Sequence, residues 1–275
     1  MYMKLKDGKS KVLTLSYDDG VVQDIRLIEI LNKYGIKATF NINTGCYVAE
    51  DTIREKFYGR MKLSEATALY KNSGHEVAVH ALKHPYLEQL RTEEITTEII
   101  DDRRNIEQQY GTLARGMAYP FGTYSAKVVS ALEKCGICYA RTTKSTEKFN
   151  FPENWLTLHP TCHHNNPKLM ELSKKFIEEK ALYSSENWLF LVWGHSYEFD
   201  NNDNWEVVEE FAKYIGGKEH IWYATNIEIF DYVNAYERLE VSIDKHIIHN
   251  PSSIDVWFWE QGKIYCVKGG QTLYI

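Results

Sequence analysis

Apolar residues recur along this chain with two alternating periods, one of two residues and one of about 3.6, so short strands and helices are predicted in turn. Val12–Ser16 is a β-rich run, followed by Val21–Tyr34, where Val21, Ile25, Ile28 and Leu31 recur at helical spacing before Gly35. Ile36, Ala38, Phe40 and Ile42 alternate as in a strand. Ser64–Ser73 resumes the helical period, with Ser64 as the predicted cap and Gly74 as the stop. His75–Val79 is a third strand, and Thr92–Tyr110 is a long helix with Ile95, Ile99, Ile106 and Tyr110 on one face. Gly116–Tyr119 leads into a helix over Ser125–Cys135. Ile137–Arg141 leads through a long polar loop to a helix opened by Asn166 and Pro167. Trp188–Trp193 is the most apolar strand and precedes a helix over Asn204–Ile215, and strand Ile221–Ala224 precedes a helix capped by Asn226.

Seven strand–helix units in sequence imply a parallel sheet buried under helices, either a closed or nearly closed barrel or, alternatively, a doubly wound open sheet. From about Val241 the pattern changes to short β runs, with Asp255–Trp259 and Lys263–Lys268 joined across Gln261–Gly262 as a hairpin. The expected organisation is therefore an α/β barrel over residues 1–239 and a small β appendage over residues 240–275. No internal repeat or low-complexity tract interrupts it.

The 275 residues, 44% hydrophobic and 25% charged, suit a globular chain with a sizeable core. A net charge of -6 provides no general cationic surface, so neither nucleic acid nor an anionic membrane is an expected partner. No stretch reaches the ~20 apolar residues of a membrane span, and Met1–Lys11 is polar, which gives an expectation of a soluble, cytoplasmic protein. Five cysteines suit a reducing compartment. Cys135 and Cys138 form a CxxC, but it straddles Gly136 between a helix and a strand and is read as local structure.

In parallel α/β folds the reactive groups gather at the C-terminal ends of the strands. Those ends carry Asp18–Asp19–Gly20, His80 to His84, Tyr119–Pro120–Phe121–Gly122, Arg141 and Gly194–His195. Two imidazoles four residues apart, with one carboxylate, make the three-ligand arrangement of an open catalytic zinc site, and His80, His84 and one Asp fit it. Each residue alone has an ordinary reading: Asp-Asp-Gly as a turn, His195 as a core histidine, Arg141 as a salt-bridge partner. Expected convergence on one rim favours the site. His159 and His163 share the spacing, with Cys162 and His164 nearby, but without a recurrent carboxylate they are read as surface or substrate-loop residues.

Thr14–Gly20 (TLSYDDG), Lys37–Phe40 (KATF), Gly74–Leu87 (GHEVAVHALKHPYL) and Tyr119–Gly122 (YPFG), in this order, resemble the polysaccharide deacetylase family, carbohydrate esterase family 4. The resemblance covers roughly Lys11–Leu239. It implies a distorted seven-unit (β/α) barrel and metal-assisted removal of an acetyl group from an N-acetylated sugar or oligosaccharide. Asp19, His80 and His84 would hold one divalent ion, with zinc the expected metal and cobalt, nickel or manganese as alternatives. Asp18 would be the general base, His195 the general acid, and a backbone N–H near Phe121 would help hold the oxyanion. Tyr119, Phe121, Gly122 and Trp193 are the expected substrate-binding residues, and an acetylated carbohydrate or small acylated amine is the expected substrate.

The chain departs from the family pattern at three places. Ala118 stands where an arginine is usual, and Arg141 is expected to replace it with a bidentate hydrogen bond to Asp18. Ala81 stands where Ser or Thr is common. The family's Asp-containing fourth motif is not recognisable after Arg141, so the partner of His195 is unassigned. An O-acetyl esterase, or a catalytically impaired metal-containing carbohydrate-binding protein, remain the alternative readings.

Overall fold

Strand β2 (Lys11–Asp18) is buried along its whole length, as expected of a central strand covered on both faces. The structure is a computed structural model that describes residues 1–53, 59–179 and 185–275. β2 pairs in parallel with β3 (Ala38–Ile42) on one edge and with β8 (Trp188–Gly194) on the other. β4 (Glu76–Val79), β5 (Gly116–Ala118) and β6 (Tyr139–Arg141) extend the sheet beyond β3, and β7 (Cys162–His163) lies beyond β8, giving the order β6-β5-β4-β3-β2-β8-β7. β9 (Ile221–Tyr223) joins the start of β2. The curled sheet is the distorted barrel that the sequence predicts. Its seam lies between β6 and β7, where Leu158 accepts from Thr142 N and donates to Ala140 O, and Thr161 N donates to Leu191 O.

β7 lies where the sequence predicts only a polar loop. Two residues show no alternation, and the strand is held by register with Val192 and Trp193 rather than by its own pattern.

Helices α1 (Asp24–Lys33), α2 (Leu63–Tyr70), α3 (Thr92–Tyr110), α4 (Ala126–Lys134), α5 (Leu169–Glu178), α7 (Trp205–Ile215) and α8 (Asn226–Glu237) surround the sheet, and α6 (Tyr197–Asn201) is a short turn after β8. α1 starts three residues later than predicted because Val21 is bridged to Arg60. In α2 the cap contact is Glu65 accepting from Lys62 N at 2.9 Å, while Ser64 is engaged with Glu50. α8 is capped by Thr225 rather than Asn226, through a capping box with Glu228. α5 begins after Lys168, whose N–H donates to the Asn166 side chain at 2.8 Å.

Side-chain parity along β2 divides the core. Leu13, Leu15 and Tyr17 enter the large apolar cluster beneath the helices. The alternate positions Thr14, Ser16 and Asp18 are also buried, and their partners are polar: Thr14 Oγ1 donates to Asn226 at 3.0 Å, and Asn41 Nδ2 donates to Ser16 Oγ at 2.9 Å. The barrel interior is thus a hydrogen-bonded polar column with Asp18 at its end.

The β unit expected from residue 240 onward also takes in the N-terminal end. β1 (Tyr2–Lys4) pairs antiparallel with β12 (Val256–Glu260), which forms the predicted hairpin with β13 (Lys263–Val267). β10 (Glu240–Val241), β11 (Ile247–His249) and β14 (Thr272–Tyr274) make a second antiparallel sheet. Tyr232 of α8 clamps the unit to the barrel, donating to Lys4 O at 2.6 Å and accepting from Trp257 N at 2.9 Å.

Candidate active site

At the end of β2 the backbone turns through two left-handed residues, Asp19 (φ 87°) and Gly20 (φ 63°). Ala81, His84 and Phe121 also have positive φ, so four non-glycine residues in the loops around one point carry backbone strain. The turn sends the side chains of Asp18 and Asp19 in different directions.

Asp19 meets His80 and His84. Their ligand atoms lie within 4.8 Å of one another, with His80 Nε2 3.8 Å and His84 Nε2 3.7 Å from Asp19 Oδ1. These separations are too long for hydrogen bonds, yet both rings aim at one oxygen. His80 Nδ1 faces Ala118 O at 2.8 Å and so carries the proton, leaving Nε2 as a lone pair, and that buried atom has no hydrogen-bond partner. Burial pushes the His80 pKa down to about 4 and lowers that of His84, so both are neutral near pH 7. A buried, unprotonated nitrogen beside a carboxylate and a second neutral imidazole suits a divalent cation. Asp102 of α3 sets the geometry from behind, accepting from His80 N at 3.0 Å and from Thr44 N at 2.8 Å. Arg60 also reaches the site, with Nη2 2.9 Å from Asp19 Oδ1 and Nη1 on Asn43 Oδ1 at 2.7 Å.

Asp18 is buried and accepts from Arg141 Nη2 and from Asn41 Nδ2, the latter at 2.9 Å. The expected bidentate fork is absent. Arg141 gives its Nε to Ser16 Oγ at 3.0 Å and its Nη1 to Thr142 O at 3.2 Å, so one guanidinium ties three groups together. Burial would raise the Asp18 pKa, but Arg141, then His80 and His195, prevail and hold it below the usual carboxylate value.

His195 follows β8 and places Nε2 4.0 Å from Asp18 Oδ2. Its Nδ1 is 3.1 Å from Glu198 Oε1, one helical turn along α6. Burial disfavours the imidazolium, yet the Glu198 hydrogen bond and the Asp18 and Asp19 charges outweigh it, and the His195 pKa lies above its ordinary value. Glu198 is the partner that sequence reading left unassigned, and the His-x-x-Glu spacing was its available signal.

The expected substrate residues divide. Phe121 is 47% exposed, with its ring stacked on Tyr86 (centroids 3.8 Å apart, 9° between planes) and edge-on to His84 at 4.5 Å. Gly122 is left-handed and pressed against Thr143, where a Cβ would come within 2.1 Å of Oγ1. Tyr119 is only 1% exposed and donates to Leu156 O at 2.8 Å, so it braces the seam loop rather than facing substrate. Trp193 is half-buried and covers the Arg141 guanidinium at 4.7 Å. His163 and His164, read as loop residues, instead converge on Glu198, and His159 Nδ1 lies 2.6 Å from Thr142 Oγ1. Cys135 and Cys138 are free, at a helix end and a strand start.

Residues 5–140, about half of the chain, match the polysaccharide deacetylase family model, and the chain belongs to that family. Peptidoglycan-N-acetylglucosamine deacetylase PgdA of Listeria monocytogenes is 23% identical over 148 residues, 53% of this chain. The match covers only 28% of that longer relative. Among solved structures, a candidate polysaccharide deacetylase from Mycobacterium smegmatis superposes with a TM-score of 0.60 at 14% identity, covering 86% of this chain and 94% of the other. A family 4 carbohydrate esterase from Streptomyces lividans, in complex with acetate, gives 0.52 at 16% identity, covering 78% and 93%. A family 4 pseudoenzyme from Bacillus anthracis gives 0.50 at 18% identity, covering 84% and 68%. These likenesses establish the fold. Activity has to be argued from the side chains.

Proposed function

We propose that this chain is a metal-dependent deacetylase that hydrolyses the acetyl group of an N-acetylated sugar or oligosaccharide. The observation that carries the reading is the meeting of Asp19, His80 and His84 around one point, with Asp18 and His195 beside it. Asp19, His80 and His84 would hold the ion, with zinc the expected metal for two imidazoles and a carboxylate. Such an ion supplies a water of pKa near ~7 and polarises the acyl carbonyl.

The chain's own groups do the rest. Asp18, kept ionised by Arg141, accepts the proton of the attacking water as the acyl carbon becomes tetrahedral. A backbone N–H near Phe121 donates to the developing oxyanion. His195, held protonated by Glu198, gives its Nε2 proton to the leaving nitrogen, which therefore departs as a neutral amine. The exposed Phe121–Tyr86 stack beside His84 offers an apolar face to a sugar ring. Arg141 fills the role of the arginine that Ala118 displaces, which favours turnover over a binding-only protein.

The test is acetate release from matched N- and O-acetylated oligosaccharides, with metal content measured for the wild type, Asp19→Ala and His195→Ala. Release from the N-acetylated substrate is expected. Asp19→Ala should lose metal and activity together, and His195→Ala activity alone. Full metal content in Asp19→Ala would overturn the ligand set, and release from the O-acetylated substrate alone would make the chain an esterase.

A further inference from the structure

We propose that His163 and His164 set the proton affinity of His195 by competing with it for one carboxylate, Glu198. The inference rests on His195 as the proton donor and adds two positioning residues to that reading. Glu198 turns Oε1 toward His195 Nδ1 at 3.1 Å, which leaves Oε2 facing the other way. There His163 Nε2 lies at 3.1 Å and His164 Nε2 at 2.9 Å, both approaching side-on without an in-line hydrogen bond. Three imidazoles therefore surround a single negative charge.

Neither neighbour is free to leave. His164 is 2% exposed, its ring stacked on Phe199 (centroids 4.2 Å) and on Tyr17 (5.7 Å), with Gly194 against its edge. A Cβ at position 194 would stand 2.1 Å from His164 Nδ1, so the glycine is what admits the ring. His163 is fixed by the backbone: the Asn165 N–H donates to its Nδ1 at 3.1 Å, which puts the ring proton on Nε2, the side facing Glu198.

That tautomer separates this cluster from the one at Asp19. His80 presents a bare Nε2 lone pair, as a cation requires, whereas His163 turns an N–H and its positive edge toward the carboxylate, although the ligand atoms of His163, His164 and Glu198 also lie within 4.8 Å of one another. The field that favours protonated His195 is thus partly neutralised by His163 and His164. The other groups facing His195 are Asp18 and Asp19 at the end of β2, Trp193 on β8 and Tyr197 on α6, with Arg141 behind Asp18.

The proposal makes two variants move His195 in opposite directions. Glu198→Gln should lower its titration midpoint by about one pH unit, and His163→Ala should raise it by about half a unit. His163→Gln, which can again present an amide N–H to Glu198, should fall between His163→Ala and the wild type. The midpoint is read from the His195 ring proton resonance in the zinc-loaded protein, assigned by its loss in His195→Ala. The alkaline limb of acetate release should move with it. A merely structural contact would loosen the site in both variants without opposite shifts. The proposal is overturned if His163→Ala leaves the midpoint unchanged or lowers it. It is overturned equally if His163→Ala sheds a second zinc equivalent, which would make the cluster a metal site. A wild type that releases no acetate would sink the functional reading while the resonance titration still decides this one.

Discussion

The guanidinium of Arg141, at the end of β6, meets the carboxylate of Asp18, at the end of β2, across the barrel interior, and both are closed off from solvent. The pair lies at the head of the polar column formed by Thr14 and Ser16, and the Trp193 ring covers it. Buried charges of this kind persist when they are hydrogen-bonded, and each of the three Arg141 guanidinium nitrogens has a partner.

Removing the cation should therefore damage stability and rate together. Arg141→Ala strands the buried Asp18 charge and is expected to cost about 3–5 kcal/mol of unfolding free energy. Acetate release should fall as Asp18 takes up a proton. Arg141→Lys keeps the charge but loses the fork to Ser16 and Thr142, so it should be intermediate. Denaturant unfolding and acetate release on both variants check this, and a fully active Arg141→Ala would remove Arg141 from the site.

The pH profile follows from two groups. Asp18 must be unprotonated, so activity rises as pH climbs through its pKa, which lies below 3.8. His195 must be protonated, so activity falls as pH climbs through its pKa, which lies above 6.5. A plateau spanning weakly acidic to neutral pH is expected in kcat/KM for the metal-loaded enzyme. A profile rising steadily above pH 8 would contradict the assignment of His195.

Asp24 makes stability itself depend on pH. It is fully buried, accepts from Ser196 Oγ and Tyr70 OH at 2.5 Å each, and burial raises its pKa from 3.8 to about 7. A raised carboxyl pKa stabilises the fold below the unfolded value, and that contribution is lost as pH rises through the folded value. Between about pH 4 and 7 the wild type should lose stability that Asp24→Asn does not lose. Urea unfolding of both proteins at pH 5, 6.5 and 8 measures the difference, and parallel curves would contradict the claim.

The aromatic stack should act on binding alone. Tyr86→Ala and Phe121→Ala are each expected to raise KM for an oligosaccharide by about 3- to 10-fold, with metal content unchanged. An unchanged KM in both variants would remove the stack from the substrate path.

The residues that a strand or its turn delivers directly were legible in the sequence. Asp18, Asp19, His80, His84 and Phe121 each follow a recognisable strand, and strand parity orders them without knowledge of the rest of the fold. What escaped depends on contacts between distant segments. Arg60 reaches Asp19 from an extended stretch with no periodic signature, and β7 exists only because β8 offers it an edge. Glu198, the partner of His195, is the exception: it lies one turn away at the start of a five-residue helix, where the His-x-x-Glu spacing is the one sequence signal. Tyr119 shared a motif with Phe121 but not its exposure, because Tyr119 is still in extended backbone at the strand end whereas Phe121 sits in a left-handed turn (φ 58°) beyond it.

The pairing of Tyr2 with Trp259 has a consequence for how the molecule is made. During synthesis β1 leaves the ribosome before the barrel and has no strand to join until β12 follows, so it waits unpaired through translation of the barrel. Completion of that sheet is therefore a late event, and Leu5, fully buried in the finished fold, takes its place there.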